Sequence, residues 1–328
     1  MSASPLARRL HFVVGKGGVG KTTVTAALAL LLARRGRRTL AVEMDVAGRL
    51  PALLGAPGGG YAPTQVAPGI HVLGVEGGAA LAEYLGLIIP VKRLLQSIFA
   101  SKVYQYFVAA APGLKELMTV GKIWYEATRQ EGGRAAWDAI VVDAPATGHS
   151  LQYLRMPQAA RETFGAGLVQ REATRITKLL RDRRTTAVHL VTLAEEMPVT
   201  ETLEMHAQLV RSLGLPLGHV IVNRVHGRRF GPDALARLRT AAATASPPDR
   251  ALLACVAERA AEESGWGDIN AVHAARLQAG IGNAPVITLP FLFVEEFGRA
   301  ELEHLSRLLE AGMTGRRTLA AATRSRSP

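Results

Sequence analysis

The sequence predicts an α/β protein: a doubly wound, mostly parallel sheet with an inserted helical subdomain. Three observations carry that expectation. Short apolar runs with strand character alternate with helical patterns, as in a parallel sheet covered on both faces. The first of these runs leads straight into a glycine-rich turn that opens a helix. The chain, at 328 residues and 48% hydrophobic, is also long enough to bury roughly 75% of its unfolded surface in one large domain or two small ones. That apolar content excludes a disordered or collagen-like protein.

Leu10 to Val14 reads as the first strand and Lys21 to Arg35 as the first helix. Arg38 to Glu43, Ile70 to Val75, Ala139 to Val142, Val188 to Leu193, Val220 to Val222 and Val286 to Leu289 read as further strands. Between Gly77 and Gly132 the pattern turns to long helical stretches, split near Pro90 and Pro112-Gly113, and a second helical block runs from Pro157 to Arg184. These blocks, approximately 77–132 and 157–184, form the expected helical subdomain, placed beside one edge of the sheet. The main domain is expected over 10–312, between a flexible 1–9 and a basic flexible tail at 313–328. No internal repeat is visible, so a single unit is expected and not a fused tandem pair.

A formal net charge of +12 raises the question of nucleic acid or anionic lipid. The basic residues are mostly scattered arginines, such as Arg34, Arg35, Arg37 and Arg38 after one helix and Arg181, Arg183 and Arg184 after another. Cations there offset a helix dipole, so a nucleic-acid partner is not expected. Only the stretch from Gly315 to Pro328, with Arg316, Arg317, Arg324 and Arg326 and no acid, reads as an unpaired basic arm, which keeps peripheral membrane contact open. Cys255 is the single cysteine. It excludes an internal disulfide framework and a metal site built by one chain from thiolates, and reads as a small buried hydrophobe. No apolar run reaches the length of a spanning helix, and the N-terminus lacks the pattern of a secretory signal, so a cytoplasmic protein is expected.

The strongest motif is Gly15-Lys16-Gly17-Gly18-Val19-Gly20-Lys21-Thr22, followed by Thr23. Two glycines five apart followed by Lys and Thr, after a strand and opening a helix, form a phosphate-binding loop. Gly17, Gly18 and Gly20 let the backbone curl so that amides, including that of Val19, face phosphate oxygens, and the helix N-terminus adds its dipole. Lys21 neutralises β/γ-phosphate charge and the Thr22 hydroxyl is placed to ligate Mg²⁺. Lys16 would duplicate Lys21 within its own subunit. Its better use is to reach across a dimer face toward a second nucleotide, which predicts a nucleotide-sandwich dimer.

Lys-Gly-Gly-Val-Gly-Lys-Thr-Thr with a leading lysine resembles the deviant Walker A group: the MinD and ParA positioning ATPases, the nitrogenase iron protein, and the arsenite-pump (ArsA) ATPase family with its tail-anchored-protein targeting members. The remaining motifs separate these relatives. Asp45, after the second strand, faces the phosphate loop and is expected to orient or deprotonate the attacking water, directly or through the Mg²⁺ shell. Asp45 and Ala47 match the first and third residues of the ArsA family's Asp-Pro-Ala-His, whereas Val46 and Gly48 depart from it. Glu43 is the runner-up for the water. Asp143 ends a buried strand and reads as the acid that holds Mg²⁺ through water. Gly148 could bring an amide near the γ-phosphate, and His149 reads equally as a structural loop residue. The stretch from Ile140 through Pro157 is similar to the ArsA family's second switch. Asn223 ends a strand with an amide able to read adenine. Ile287 to Leu292, including Pro290 and Phe291, resembles that family's adenine-side loop.

The resemblance implies a Mg²⁺-dependent ATPase that works as a homodimer or as a heterodimer with a paralogous ATPase. With one cysteine and no Cys-x-x-Cys, neither the pump's thiolate site nor the targeting factor's zinc clasp is expected. The apolar stretch from Leu81 to Met118 reads either as subdomain packing or as a groove for a hydrophobic helix or membrane-protein client. The rivals are the energising subunit of an arsenite-type anion pump and a MinD/ParA-like positioning ATPase. The cue for the last is Leu302, Leu305, Leu308 and Leu309 as a surface anchor, against the plainer reading of a core stripe.

Overall fold

The computed structural model describes residues 5–44, 48–56, 58–88, 93, 99–102, 106, 113–145, 150–164 and 166–315. Ten strands and ten α-helices are described within them. β1 (Leu10–Val14), β2 (Thr39–Met44), β3 (Thr64–Ala67), β4 (Ile70–Val75), β7 (Ala139–Asp143), β8 (Thr186–Leu193), β9 (Leu217–Val225) and β10 (Val286–Pro290) form one sheet in the order β10-β9-β8-β1-β7-β2-β4-β3. Every pairing in it is parallel except that of β3 with β4. β1, β2 and β7 are buried at every residue, which is why they read as continuous apolar runs and do not alternate.

Among the strands, two pieces escaped the sequence reading. β3 is a short, largely exposed edge strand returning through Pro68-Gly69, where Gly69 takes the left-handed φ of 73° that a tight turn requires. A two-stranded ribbon, β5 (Gln130–Glu131) with β6 (Arg134–Ala135), is too short to show periodicity.

Helices cover both faces. On one lie α1 (Lys21–Arg34), α2 (Arg49–Leu53) and α10 (Arg299–Met313), whose Leu302, Leu305 and Leu309 are fully buried against α1 and the sheet. Those leucines are therefore a core stripe and cannot serve as a surface anchor. On the other face lie α4 (Leu114–Thr128), α5 (Ser150–Thr163), α6 (Leu168–Arg181), α7 (Glu196–Ala207) and α9 (Pro247–Ile281). Leu117 and Ile123 of α4, Leu154 of α5 and Ile176 of α6 share one core with Leu10, Phe12 and Leu40. The helices expected beside an edge thus lie on a face of the sheet, because their apolar stripes need the strands to bury against. α5 also begins at Ser150 and carries Pro157 inside it, so Pro157 does not open the helix.

α3 (Gly77–Ile88) packs on α4 through Lys122, which is 8% exposed and lies 2.8 Å from Glu83 and 3.2 Å from Glu126. The Trp137 indole N–H donates to the same buried Glu126 at 2.9 Å. α8 (Pro232–Thr244) and the 35-residue α9 form a helical hairpin. Cys255 lies exposed on α9, contrary to its expected burial.

Beneath α1 and α10, three buried histidines run across β1, β8 and β9. His11 Nε2 lies 3.1 Å from the Arg8 carbonyl, His11 Nδ1 lies 3.2 Å from His189 Nε2, and the His219 backbone N–H donates to His189 Nδ1 at 3.2 Å. Carbonyls only accept and amides only donate, so the chain is satisfied with both His11 and His189 neutral and protonated on Nε2. Gly218 is needed here because a Cβ would sit 2.6 Å from the His189 ring. Burial depresses His11 to about 3 and His219 to about 4, and pushes His189 well below its ordinary value.

Candidate nucleotide site

The phosphate loop joins the central strand β1 to α1, at the carboxyl ends of the parallel strands where such folds place ligands. Gly15, Gly18 and Gly20 have positive φ, and Gly20 caps α1 in the left-handed conformation at φ 91°. Gly17 does not, so the third special position is Gly15, where a Cβ would run into the Val191 carbonyl of β8. The Lys21 ammonium, on a side chain buried at the start of α1, donates to the Lys16 carbonyl across the loop at 2.8 Å. Burial lowers the Lys21 pKa, and the Asp143 charge opposes that shift. Thr22 and Thr23 follow in the half-buried first turn of α1.

Asp143 ends β7, the neighbour of β1, and is 7% exposed. Burial raises its carboxyl to about 6, against hydrogen bonds from Thr22 and Thr25 and the Lys21 charge. The Thr25 hydroxyl lies 3.4 Å from Asp143 Oδ1. Glu43 is the next-to-last residue of β2, one strand further on. Its Oε2 accepts the Gly48 amide at 3.0 Å and its Oε1 the Arg49 and Leu50 amides at 2.9 and 3.3 Å. Three amides at the N-terminus of α2 thus hold this buried carboxylate as a cap.

Asn223, near the end of β9, is buried against the loop. Its Nδ2 donates to the Val19 carbonyl at 2.9 Å, and a Cβ on Gly20 would strike that same nitrogen. The next residue, Arg224, is the one described non-glycine with positive φ, at 52°. Pro290 ends β10, and Phe291 bonds back to the Val225 carbonyl and stacks on His226 at 4.6 Å. Asn270 of α9 clamps the strand ends, accepting the His226 amide at 2.8 Å and donating to Ala194 at 3.0 Å. His226 Nδ1 lies 2.7 Å from Glu263 Oε2. Lys16, the lysine expected to reach outward, lies 2.9 Å from Glu201 of α7 in its own chain.

Comparison with known proteins decides the family. The Anion-transporting ATPase family profile matches residues 8–173. ATPase BagA of Mycobacterium tuberculosis is 36% identical over 235 residues, 70% of this chain and 68% of that protein. The chain belongs to the ArsA ATPase family. Arsenical pump-driving ATPase of Acidiphilium multivorum is 28% identical across 65% of this chain and 39% of its own length. ATPase ASNA1 homolog 1 of Paramecium tetraurelia is 31% identical across 44% of this chain and 43% of its own.

An ArsA-family ATPase implies a nucleotide substrate and a metal ion. Among the described residues no group of three or more His, Cys, Asp and Glu could hold a metal by itself. The adjacent Thr22 hydroxyl and Asp143 carboxylate are hard oxygen donors of the kind Mg²⁺ takes alongside substrate phosphates. They fit the ion. Asp45, Gly148 and His149 lie outside the described residues, as do residues 89–92, 94–98, 103–105 and 107–112 of the stretch from Leu81 to Met118; within that stretch Leu81 is buried and Leu87 is 68% exposed. Among the described residues no helix is long and apolar enough to cross a membrane. Glu201, Glu263 and Asn270 were missed by the motif reading. Each sits on a helix of ordinary composition, and only the packing of α7 and α9 against the strand ends brings it to the site.

Proposed function

We propose that this ArsA-family ATPase hydrolyses Mg²⁺-bound ATP in a dimer that closes around nucleotide, and that the cycle drives binding and release of a hydrophobic helix or membrane-protein client in the cytoplasm. The observation that carries the reading is the meeting of Lys21, Thr22 and Asp143 at the carboxyl ends of β1 and β7. Mg²⁺ would be held by Thr22 and, through water, by Asp143, and would neutralise charge between the β- and γ-phosphates. The amides of Gly15 to Thr23 and the start of α1 cradle the phosphates. Lys21 exchanges its loop carbonyl for phosphate oxygens.

Glu43 is engaged by three amides, which favours Asp45 for orienting the water. That water attacks the γ-phosphorus, the bond to the β-phosphate oxygen breaks, and ADP and phosphate leave. Asn223, Pro290 and Phe291 serve the adenine side, and Gly148 reports the γ-phosphate to the helical subdomain. Lys16 is the residue that crosses to a second copy or a paralogue once it leaves Glu201.

The client reading rests on the apolar stretch from Leu81 to Met118 beside these motifs. The pump reading draws on the arsenical pump-driving relatives, but a lone exposed Cys255 supplies no thiolate set for a metalloid. An Asp45→Asn variant should keep ATP binding, slow hydrolysis and hold its cargo in a pull-down from the native host. Proteins with terminal membrane helices in the eluate support the carrier. Hydrolysis at the parent rate removes Asp45 from its role, and stimulation by arsenite replaces the carrier with the pump.

A further inference from the structure

Four neighbouring strands, β8, β1, β7 and β2, enter the sheet side by side at the end opposite the phosphate loop. Their lead-in residues are strongly cationic: Arg183 and Arg184 before β8, Arg8 and Arg9 before β1, Arg37 and Arg38 before β2, against the single Asp138 before β7. Arg38 pairs with Glu131 at 2.8 Å. Arg8, Arg9, Arg37, Arg183 and Arg184 make no ion pair with any carboxylate among the described residues.

Three of these arginines rest on neutral carbonyl oxygens. Arg8 donates to Thr186 at 3.2 Å, Arg9 to Ala127 at 3.2 Å, and Arg37 to Leu6 at 2.6 Å, to Arg8 at 2.8 Å and to Asp138. Arg8 is 7% exposed and its Nε has no partner. Burial and the neighbouring Arg183 charge both lower its pKa. Asp138 and Asp182 give Arg37 and Arg184 partial charge relief, but Asp182 is also engaged by the Thr185 hydroxyl and the Arg184 amide, and Asp138 Oδ2 by the Arg38 amide. The histidines beneath are neutral. Two carboxylates among five crowded, partly buried arginines leave a costly excess of positive charge, and an anion from outside the chain relieves that cost.

A cleft of about 590 Å³ opens at this spot, lined by Arg9, Arg37 and Arg184 together with Asp138 and Thr185. Its size suits a small molecule or a lipid headgroup. Among the described residues the Arg184 guanidinium has no hydrogen-bond partner, and Arg9 uses one nitrogen. Planar guanidinium forks around a concave cleft match tetrahedral phosphate oxygens in paired hydrogen bonds. We propose that the amino-terminal end of the sheet is a second anion site, separate from the nucleotide site, that binds a phosphate-bearing ligand between Arg9, Arg37 and Arg184.

The test titrates inorganic tripolyphosphate into the full chain already saturated with ADP and Mg²⁺, so that the phosphate loop is blocked. The expected result is one saturable site that weakens at least about tenfold in Arg184→Glu, the loss of one or two charge-assisted hydrogen bonds. ATP turnover, measured on the same protein preparations free of ADP, should stay unchanged and reports separately on the nucleotide reading. Arg184 is exposed and its side chain is unpaired, so the variant should keep the parent melting temperature. Phosphatidylcholine vesicles with and without a phosphoinositide form a second arm. Phosphoinositide-dependent sedimentation that Arg184→Glu abolishes assigns the ligand to a lipid headgroup, and tripolyphosphate binding without sedimentation assigns it to a soluble phosphate. Failure of both probes to bind the ADP-saturated protein, or binding that Arg184→Glu leaves intact, overturns the site.

Discussion

The two ends of the same parallel strands handle charge in opposite ways. At the carboxyl end the buried charges face partners of opposite sign or backbone amides: Lys21 with Asp143, and Glu43 on the α2 amides. At the amino end, the Arg8, Arg9 and Arg37 guanidinium groups donate to backbone carbonyls. The difference follows from what the chain presents at each end. Phosphate-loop amides and the start of α1 attract anions at one, whereas strand lead-ins at the other offer only side chains and carbonyls. Local backbone therefore builds the phosphate cradle of the first site, to which Asp143 and Asn223 come from distant strands. Convergence of distant segments is needed for the second.

The largest test of that contrast is Lys21→Ala. Loss of the buried ammonium beside the phosphates should cut hydrolysis at least about a hundredfold, with little change in melting temperature, since its described hydrogen bond is to one loop carbonyl. Gly218→Ala acts at the other end. A Cβ 2.6 Å from the His189 ring should overpack the core and cost about 2 kcal/mol in denaturant unfolding, while the ATP affinity of the folded fraction stays put.

Acid should sharpen the comparison. Unfolded histidines take up protons near 6.5, whereas folded His11 resists until about 3 and His219 until about 4. The unfolded chain thus binds more protons across that window. From these histidines, stability should be flat above about pH 7 and fall as pH drops through 6.5 toward 3, read as the urea midpoint against pH. A rise in midpoint over that range would rule out the neutral histidine chain. The smallest effect belongs to Glu201→Gln. It frees Lys16 from a half-exposed pair that is worth well under 1 kcal/mol. Turnover should change by no more than about threefold, upward if Lys16 is needed elsewhere in the cycle.

The sequence by itself determined the alternating α/β architecture, the phosphate loop and Asp143 at its strand end. Each depends on residues within a few positions of one another, where glycine φ angles, strand burial and helix starts are set locally. Tertiary structure alone decided that Glu43 caps α2, that Asn223 lies on the loop carbonyl of Val19, and that Lys16 pairs with Glu201. It also decided that α4 to α6 cover a face of the sheet, and that Arg9, Arg37 and Arg184 converge. Apart from the Glu43 cap, which reaches only five to seven residues ahead, these arrangements join residues far apart in the chain, and hydrophobic periodicity says which face is buried but not what it is buried against.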